Sequence, residues 1–395
     1  MVECGQGDGM MPRPRRIELF SPNEISICHL VQRCVRRMFL TGCDQVTGKD
    51  YTYRREWIRQ RFEKLASVFG VDVLSYAIMS NHIHVVARNR PDVVDSWSDN
   101  EVALRWLQIF PGKRTEEQLG DPTSLDVEVL AKDKERIKVI RSRLSDFSWF
   151  MRALSEPIAR RANREEECTG AFWEGRFKAQ RILDETALLA CCMYVDLNPI
   201  RAAMAETIED SKFTSAYDRL KSVQGAKIES SAAAMQTISQ EEAAKIRRES
   251  TPEELEARRK AAKKRKGPRV SRDAWLAPLS LDPSQKGSAA NSSGVRASDR
   301  GFLNLKLKEY LELLEFTRRK GCADEHGNIP VDALKVLNQL KIESDMWCDL
   351  VWGFKRTFGR SRSAGHPDQM RDDAASHGRR YQPGQRKSKR LYVAR

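Results

Sequence analysis

The residues that decide the fold read VDVLSYAIM (71–79), Ser80-Asn81 and HIHVVAR (82–88). Both apolar runs are rich in the β-branched and aromatic residues that favour strands, and the Ser-Asn pair between them favours a turn. The segment therefore predicts two consecutive strands. Because the connection is so short, the two strands should run antiparallel.

A third strand and a helix precede this pair. The run ISICHLVQRC (25–34) has the β-branched and apolar residues of a strand. Residues 51–70 predict a helix, since Trp57, Phe62 and neighbouring apolar residues follow helical spacing and Gly70 is a typical stop. The order strand, helix, strand, strand predicts an α+β domain built on an antiparallel sheet.

Two further helices follow in this first domain. LSDFSWFMRALSEPIARRANR (144–164) predicts an amphipathic helix that Pro157 should kink or divide. ETALLACCMYVDL (185–197) predicts a strongly apolar helix that ends at Asn198-Pro199, because a residue before proline is pushed out of the helical conformation.

Composition divides the chain further. It predicts a first domain over 17–220 with a polar surface insertion at about 112–142, a charged helix and flexible linker over 221–300, a small helical unit over 301–360 and a basic disordered tail over 361–395.

The basic run at 258–272 has two interpretations that the sequence leaves open. It is either an additional nucleic-acid contact or the solvated end of a charged helix.

The overall charge indicates a polyanionic partner. The chain of 395 residues has a formal net charge of +14 and a pI near 9.4. Nucleic acid is the commonest partner of so basic a protein. The sequence has no apolar stretch of the roughly 18 to 20 residues that a membrane span needs, and its first residues lack the apolar core of a secretory signal. We therefore expect a cytoplasmic protein without a membrane partner.

Two histidines form the first candidate site. His82 and His84 are two positions apart on a predicted strand, so their side chains should point to the same face. In this arrangement the two imidazoles can bind one metal ion together. The residues alone leave a second interpretation open, in which both histidines are solvated or hydrogen-bonded.

The second candidate site is the end of the apolar helix. Tyr194 and Asn198 are four positions apart and should therefore share one helix face. Their phenol and amide groups would then project into the same space. The alternative is a packed core tyrosine followed by an asparagine that ends the helix.

Taken together, four segments resemble the REP-associated tyrosine transposases, which belong to the single-tyrosine HUH transposases and nucleases. The segments are SYAIMSNHIHVVAR (75–88), WFMRALSEPIARRANR (149–164), TGAFWEGRFKAQ (169–180) and YVDLNPIRAAM (194–204). They occur in the order found in that family and span about residues 17–220. The resemblance implies a ferredoxin-like antiparallel sheet with flanking helices, the HUH fold, followed here by a mostly α-helical C-terminal extension.

The resemblance also implies a role for each candidate residue. Tyr194 matches the nucleophile of the family, and His82 and His84 match its metal ligands. Asn198 occupies the position from which the tyrosine helix supplies a further ligand. Two histidines and an amide oxygen leave coordination positions open, which suits catalytic Mg²⁺ or Mn²⁺.

The predicted substrate is single-stranded DNA beside a hairpin or palindromic repeat. The resemblance implies cleavage through a 5′-phosphotyrosine and strand transfer, as in DNA transposition. Arg176, Lys178, Trp173 and Arg201 are the expected DNA contacts, with Trp173 mostly packing. Two alternatives stay open: an inactive, domesticated regulator that binds DNA hairpins, and a phosphodiesterase that activates water. The oligomeric state is open between monomer and homodimer.

Overall fold

The structure is a computed structural model. It describes residues 20, 23–35, 40–44, 48–112, 119–281, 291, 293–321 and 328–392. The start of the predicted first domain, part of the insertion, part of the linker and the last residues of the tail lie outside these ranges.

The described residues form seven strands and seventeen helices. The strands are β1 Ile27–Arg33, β2 Val71–Ile78, β3 His82–Asn89, β4 Lys178–Ile182, β5 Lys227–Glu229, β6 Arg269–Ser271 and β7 Ser363–Ala364. The helices are α1 Arg54–Val68, α2 Pro91–Ser96, α3 Asp99–Ile109, α4 Ser124–Lys132, α5 Lys134–Leu144, α6 Phe147–Glu165, α7 Glu185–Asp196, α8 Asn198–Arg201, α9 Ser215–Val223, α10 Gln240–Glu249, α11 Pro252–Lys264, α12 Leu307–Gly321, α13 Val331–Leu340, α14 Ser344–Trp352, α15 Phe354–Phe358, α16 Pro367–Ser376 and α17 Gln385–Tyr392.

Five strands form the main sheet, in the order β2-β3-β1-β4-β7. Each neighbouring pair among the first four strands is antiparallel, whereas β7 pairs in parallel with β4. The predicted strand pair 71–79 and 82–88 is confirmed, as is the strand at 25–34. The chain is therefore a mixed α/β protein with a mostly antiparallel sheet, in agreement with the predicted α+β class.

A hydrophobic core lies on each face of this sheet. Because side chains alternate along a strand, Ile83, Val85 and Ala87 belong to the first core while Val86 belongs to the second. The helices of the first core are α1 to α6. The second core combines α7 with the later helices α12 to α16, so the predicted boundary near residue 220 does not separate two cores.

The sequence predicts that Pro157 kinks or divides its helix. In the structure Pro157 lies inside one continuous helix, α6, and does not divide it. A proline leaves the carbonyl four residues before it without its helical N–H donor. Here that carbonyl belongs to Ala153, and the Nε of Arg61 donates to it over 2.9 Å. Burial also lowers the pKa of Arg61 to about 10. The arginine on α1 thus replaces the hydrogen bond that proline removes.

The segment 112–142 differs from the predicted surface insertion. Its described part forms α4 and most of α5, which place Leu130, Ile137 and Ile140 in the first core. Within each helix the buried apolar residues follow helical spacing, with Val127 and Leu130 on α4 and Ile137 and Ile140 on α5. The charged residues of the segment lie on the opposite, exposed faces of the two helices. Because they dominate the composition, composition alone does not predict the buried apolar residues.

The tail after Arg360 also differs from the predicted disorder. It contributes β7, α16 and α17, and Met370 of α16 is fully buried in the second core. Polar residues outnumber apolar ones in this segment, so composition predicts disorder. The few apolar side chains are nevertheless placed where the core is already formed by other helices, and this context stabilises them.

The basic run at 258–272 is engaged with carboxylates. Arg265 pairs with Asp121 at 2.6 Å and Arg272 pairs with the buried Asp218 at 2.5 Å. These contacts fix both basic side chains to the protein, which favours a structural role for this part of the run. No helix among the described residues has the length and apolar character needed to cross a membrane.

Candidate active site

The two predicted histidines lie together on the second face of the sheet. His82 and His84 are on β3, and their ring centroids are 4.7 Å apart. Val31 of β1 pairs with His84 on one side and with Lys178 of β4 on the other. Residues directly opposite each other in a sheet share a face, so Lys178 lies in the same row as His84.

Tyr194 packs over this row from α7. Its ring centroid is 5.8 Å from that of His84, and only 4% of the residue is exposed. Asn198 is also buried, and its side-chain Nδ2 donates to the Tyr194 carbonyl over 2.9 Å. The structure therefore brings Tyr194 to the histidines, while the Asn198 amide binds the backbone of the tyrosine helix.

Both ends of α7 are held by hydrogen bonds. At its start, Asp184 accepts from the backbone N–H groups of Ala187 and His366, at 2.7 and 2.6 Å. At its end, the buried Asp196 accepts from the hydroxyl of Tyr310 at 2.5 Å. His366 and Tyr310 belong to the C-terminal part of the chain, so that part helps to position the tyrosine helix.

His29 of β1 is a site residue that the sequence analysis does not include. It is 7% exposed, and its Nε2 lies 2.8 Å from Nδ1 of His84. The rings of His29 and Tyr194 are 6.1 Å apart. The sequence places His29 in the middle of a predicted strand. Its contact with His84 depends on the pairing of β1 with β3, which the sequence does not show.

The surroundings keep all three histidines neutral. Burial lowers the pKa of His29 to about 4, with a smaller contribution from His82. Burial, followed by the charges of Arg33 and Lys355, lowers the pKa of His82 to about 4. The pKa of His84 is lowered well below its usual value, mainly by burial. Neutral imidazoles retain the lone pairs with which histidine binds metals.

One buried atom fits a metal ligand. Nε2 of His84 is buried and has no hydrogen-bond partner among the described residues, which is unusual for a polar atom in a protein interior. The described residues contain no group of three His, Cys, Asp or Glu side chains arranged around a metal. An ion bound by His82 and His84 would therefore need further ligands of another kind.

Cations from three elements surround the histidines. Arg33 ends β1, Arg201 ends α8 and Lys355 lies on α15, and all three are exposed. Arg33 and Lys355 act electrostatically on His82, and Lys355 and Arg201 act on His84. This concentration of positive charge around neutral ligands favours an anion at the rim of the site.

Tyr194 is protonated at neutral pH. Burial raises the pKa of its hydroxyl, whereas the charge of Arg201 lowers it. The guanidinium of Arg201 lies over the tyrosine ring, 4.7 Å from its centroid. Arg201 was expected as a DNA contact, and its position beside the phenol is compatible with contact to a nearby phosphate.

The remaining predicted DNA contacts are placed differently. Trp173 is half-buried against the first core and donates from Nε1 to the Ser155 carbonyl over 2.9 Å, so it packs as expected. Arg176 is exposed and follows it in the loop before β4. Of these two residues and Lys178, only Lys178 has a place in the sheet row of His84.

Comparisons with known proteins add little. No protein-family model matches the chain, and no curated protein matches it significantly. A solved structure of a REP-associated tyrosine transposase bound to a REP hairpin is similar to 54% of this chain and 86% of its own, at 11% identity and a TM-score of 0.31. At that TM-score the likeness does not establish a common fold or function.

Proposed function

We propose that this protein cleaves single-stranded DNA through a covalent 5′-phosphotyrosine on Tyr194 and transfers the strand to a new 3′-hydroxyl. The observation that carries the proposal is the meeting of Tyr194 with His82 and His84 beneath a group of exposed cations. These residues come from segments far apart in the sequence, and the resemblance to the HUH family implies that they take part in one reaction.

The order of elements supports the same family. The elements β1, α1, β2, β3, α6 and β4 occur in this order along the chain, with α2 to α5 between β3 and α6, and the four strands lie in the order β2-β3-β1-β4. This is the connectivity of a ferredoxin-like sheet, which the resemblance to the HUH family implies. Here β3, which lies inside the sheet, carries His82 and His84, and the later helix α7 carries Tyr194.

The chemistry follows from these side chains. The Tyr194 oxygen attacks the phosphorus, its proton passes to solvent, and a phosphotyrosine ester replaces the broken phosphodiester. The strand end that leaves takes up a proton as a 3′-hydroxyl. Because one ester replaces another, a second 3′-hydroxyl can reverse the step and join strands without ATP. Arg201 would stabilise the charge that develops beside the phenol.

A divalent cation would complete the site. His82 and His84 would hold Mg²⁺ or Mn²⁺, which would supply Lewis-acid stabilisation of the phosphate, and Asn198, the first residue of α8 after the tyrosine helix, is the proposed further protein ligand. The unpartnered Nε2 of His84 supports this part of the proposal. The open positions would be filled by phosphate oxygens and water.

The proposed substrate is a DNA hairpin with single-stranded flanks. A tyrosine held on a helix reaches a phosphate more easily in an unpaired strand than within a duplex. Lys178 and Arg176 are the proposed backbone contacts, and the family resemblance adds recognition of palindromic repeats. The strongly basic composition predicts that binding weakens as salt increases.

The test uses oligonucleotides from palindromes beside the gene, labelled at the 5′ or the 3′ end, with Mn²⁺ or with EDTA. We expect a metal-dependent protein-DNA adduct on a denaturing gel that carries the 3′ label. The adduct should be absent in Tyr194→Phe and in His84→Ala. Tyr381→Phe is the matched control, since Tyr381 is 57% exposed and lies outside the site.

Two other results would replace the proposal. Cleavage without an adduct that survives in Tyr194→Phe would indicate a phosphodiesterase that uses activated water. Tight hairpin binding without any cleavage would indicate an inactive DNA-binding regulator.

A further inference from the structure

We propose that the C-terminal helix α15 is part of the active site, and that Lys355 on it binds a backbone phosphate of the DNA strand presented to Tyr194. This inference rests on the proposed function and deepens it. It gives a role to a region that the sequence motifs leave unexplained.

Phe354 fixes α15 against the nucleophile. Its ring lies 5.4 Å from the Tyr194 ring at an interplanar angle of 28°, and 6.5 Å from the ring of His29. Phe354 is 1% exposed and also contacts Phe358 at 5.1 Å. Since both ends of this short helix are anchored by buried aromatic rings, the residue next to Phe354 has a defined place.

That residue is Lys355, which lies at the rim of the site. It is exposed, while Phe354 beside it is buried on Tyr194. The rings of Tyr194 and His29, which Phe354 contacts, lie 5.8 and 5.0 Å from the ring of His84, so the residue beside Phe354 is close to the paired histidines. Lys355 is thus a cation of the C-terminal region that lies near the paired histidines.

Lys355 is available for a ligand. Its ammonium group forms no ion pair or hydrogen bond with the described residues. Other lysines of the same region are engaged: Lys335 pairs with Glu309 at 2.7 Å, and Lys308 pairs with Asp332 at 2.9 Å. A cation in this situation, beside neutral histidines, is suited to a phosphate, which would supply the missing negative charge.

The same arrangement explains the low exposure of Tyr194. The Phe354 ring stacks on the Tyr194 ring and the Arg201 guanidinium lies over it, so both side chains cover the phenol ring. A DNA strand would approach across this rim, where Lys355 and Arg201 lie on different helices. The C-terminal region would therefore help to set the path of the strand.

The experiment measures binding of a fluorescein-labelled single-stranded oligonucleotide from the flanking palindrome by the full-length Tyr194→Phe protein, which binds without cleaving. Affinity is measured across a series of salt concentrations. Removal of one phosphate contact should reduce the slope of log K against log salt by about 0.7. We expect this reduction for Lys355→Ala, with recovery in Lys355→Arg.

Lys138→Ala is the matched control. Lys138 is an exposed lysine of α5, a helix of the first core on the other face of the sheet. The Lys138→Ala substitution removes the same charge as Lys355→Ala and should leave the slope of log K against log salt unchanged. If Lys355→Ala and Lys138→Ala give equal slopes while the wild-type protein forms the adduct, the inference is wrong and the proposed function stands. If the wild-type protein forms no adduct and binds no single-stranded DNA, both fail.

Discussion

Nδ1 of His84 and Nε2 of His29 lie 2.8 Å apart, and this contact directs the other nitrogen of His84 into the candidate metal site. For Nε2 of His84 to offer a lone pair to a metal, its Nδ1 must carry the proton and donate to His29. A partner that fixes the tautomer of a ligand in this way commonly changes metal affinity about 10- to 100-fold. We therefore expect His29 to act as a positioning residue for His84.

His29→Leu should weaken Mn²⁺ binding by about 10- to 100-fold, because His84 would lose its acceptor. Isothermal titration of Mn²⁺ measures this directly. His29→Gln, whose amide oxygen can still accept, should recover part of the affinity. Equal affinities in wild type and His29→Leu would show that the contact has no role in metal binding, and His377→Leu serves as the control outside the site.

Stability should fall as the solution becomes acidic. In the folded protein His29 has a pKa of about 4, below the ordinary value of 6.5 that applies after unfolding. The unfolded chain therefore binds more protons between these values, so the stabilising effect is complete above pH 6.5 and is lost as pH falls toward 4. Below pH 4 the contribution of His29 to the free energy of unfolding should change little further.

Urea unfolding at several pH values tests this dependence. The loss from His29 alone should be on the order of 3 kcal/mol between about pH 7 and about pH 4. His29→Asn has no titrating ring and should show a flatter profile than wild type. A variant with the same pH dependence as wild type would mean that His29 is not kept neutral by burial.

The arrangement of the candidate site residues was predictable to the extent that local spacing determines it. Period two places His82 and His84 on one face, as observed, whereas Tyr194 and Asn198, which their spacing predicts on one helix face, belong to α7 and α8. The partner of His29 depends on which residue of β3 lies opposite β1, and no local pattern contains that register. Phe354 reaches Tyr194 through tertiary packing alone.

For the fold too, features marked by local sequence were predictable and features set by tertiary packing were not. The strands at 71–79 and 82–88 were predicted because β-branched residues and a turn pair mark them locally. The segment 112–142 and the tail were misjudged because a few apolar residues at helical spacing decide their burial, while charged residues dominate their composition. The predicted division of the chain into separate domains stays a prediction.

The contact between Arg61 and the Ala153 carbonyl predicts a double-mutant cycle. Arg61→Met should destabilise the protein by about 1–3 kcal/mol, because it leaves a buried carbonyl without a donor. Pro157→Ala restores the helical N–H, so the same arginine substitution should cost less in that background. Chemical unfolding of the four proteins gives the coupling energy, and additive effects would show that Arg61 does not compensate for the proline.

The tail should contribute measurably to stability. Met370→Ala removes a fully buried side chain and should cost about 2–5 kcal/mol, whereas Met370→Leu should cost less than about 1.5 kcal/mol. Urea midpoints compare the two variants, with the exposed Arg371→Ala as a surface control. A disordered tail would instead make all three substitutions neutral.

The parallel pairing of β7 with β4 has a consequence for protein synthesis. The sheet begins with Ile27 and is completed by Ala364, so its fifth strand becomes available only when nearly the whole described chain has been translated. Folding during translation proceeds from the N-terminus, and long-range pairings form late. The nascent chain should therefore hold β1 to β4 with an unprotected sheet edge until its last helices emerge from the ribosome.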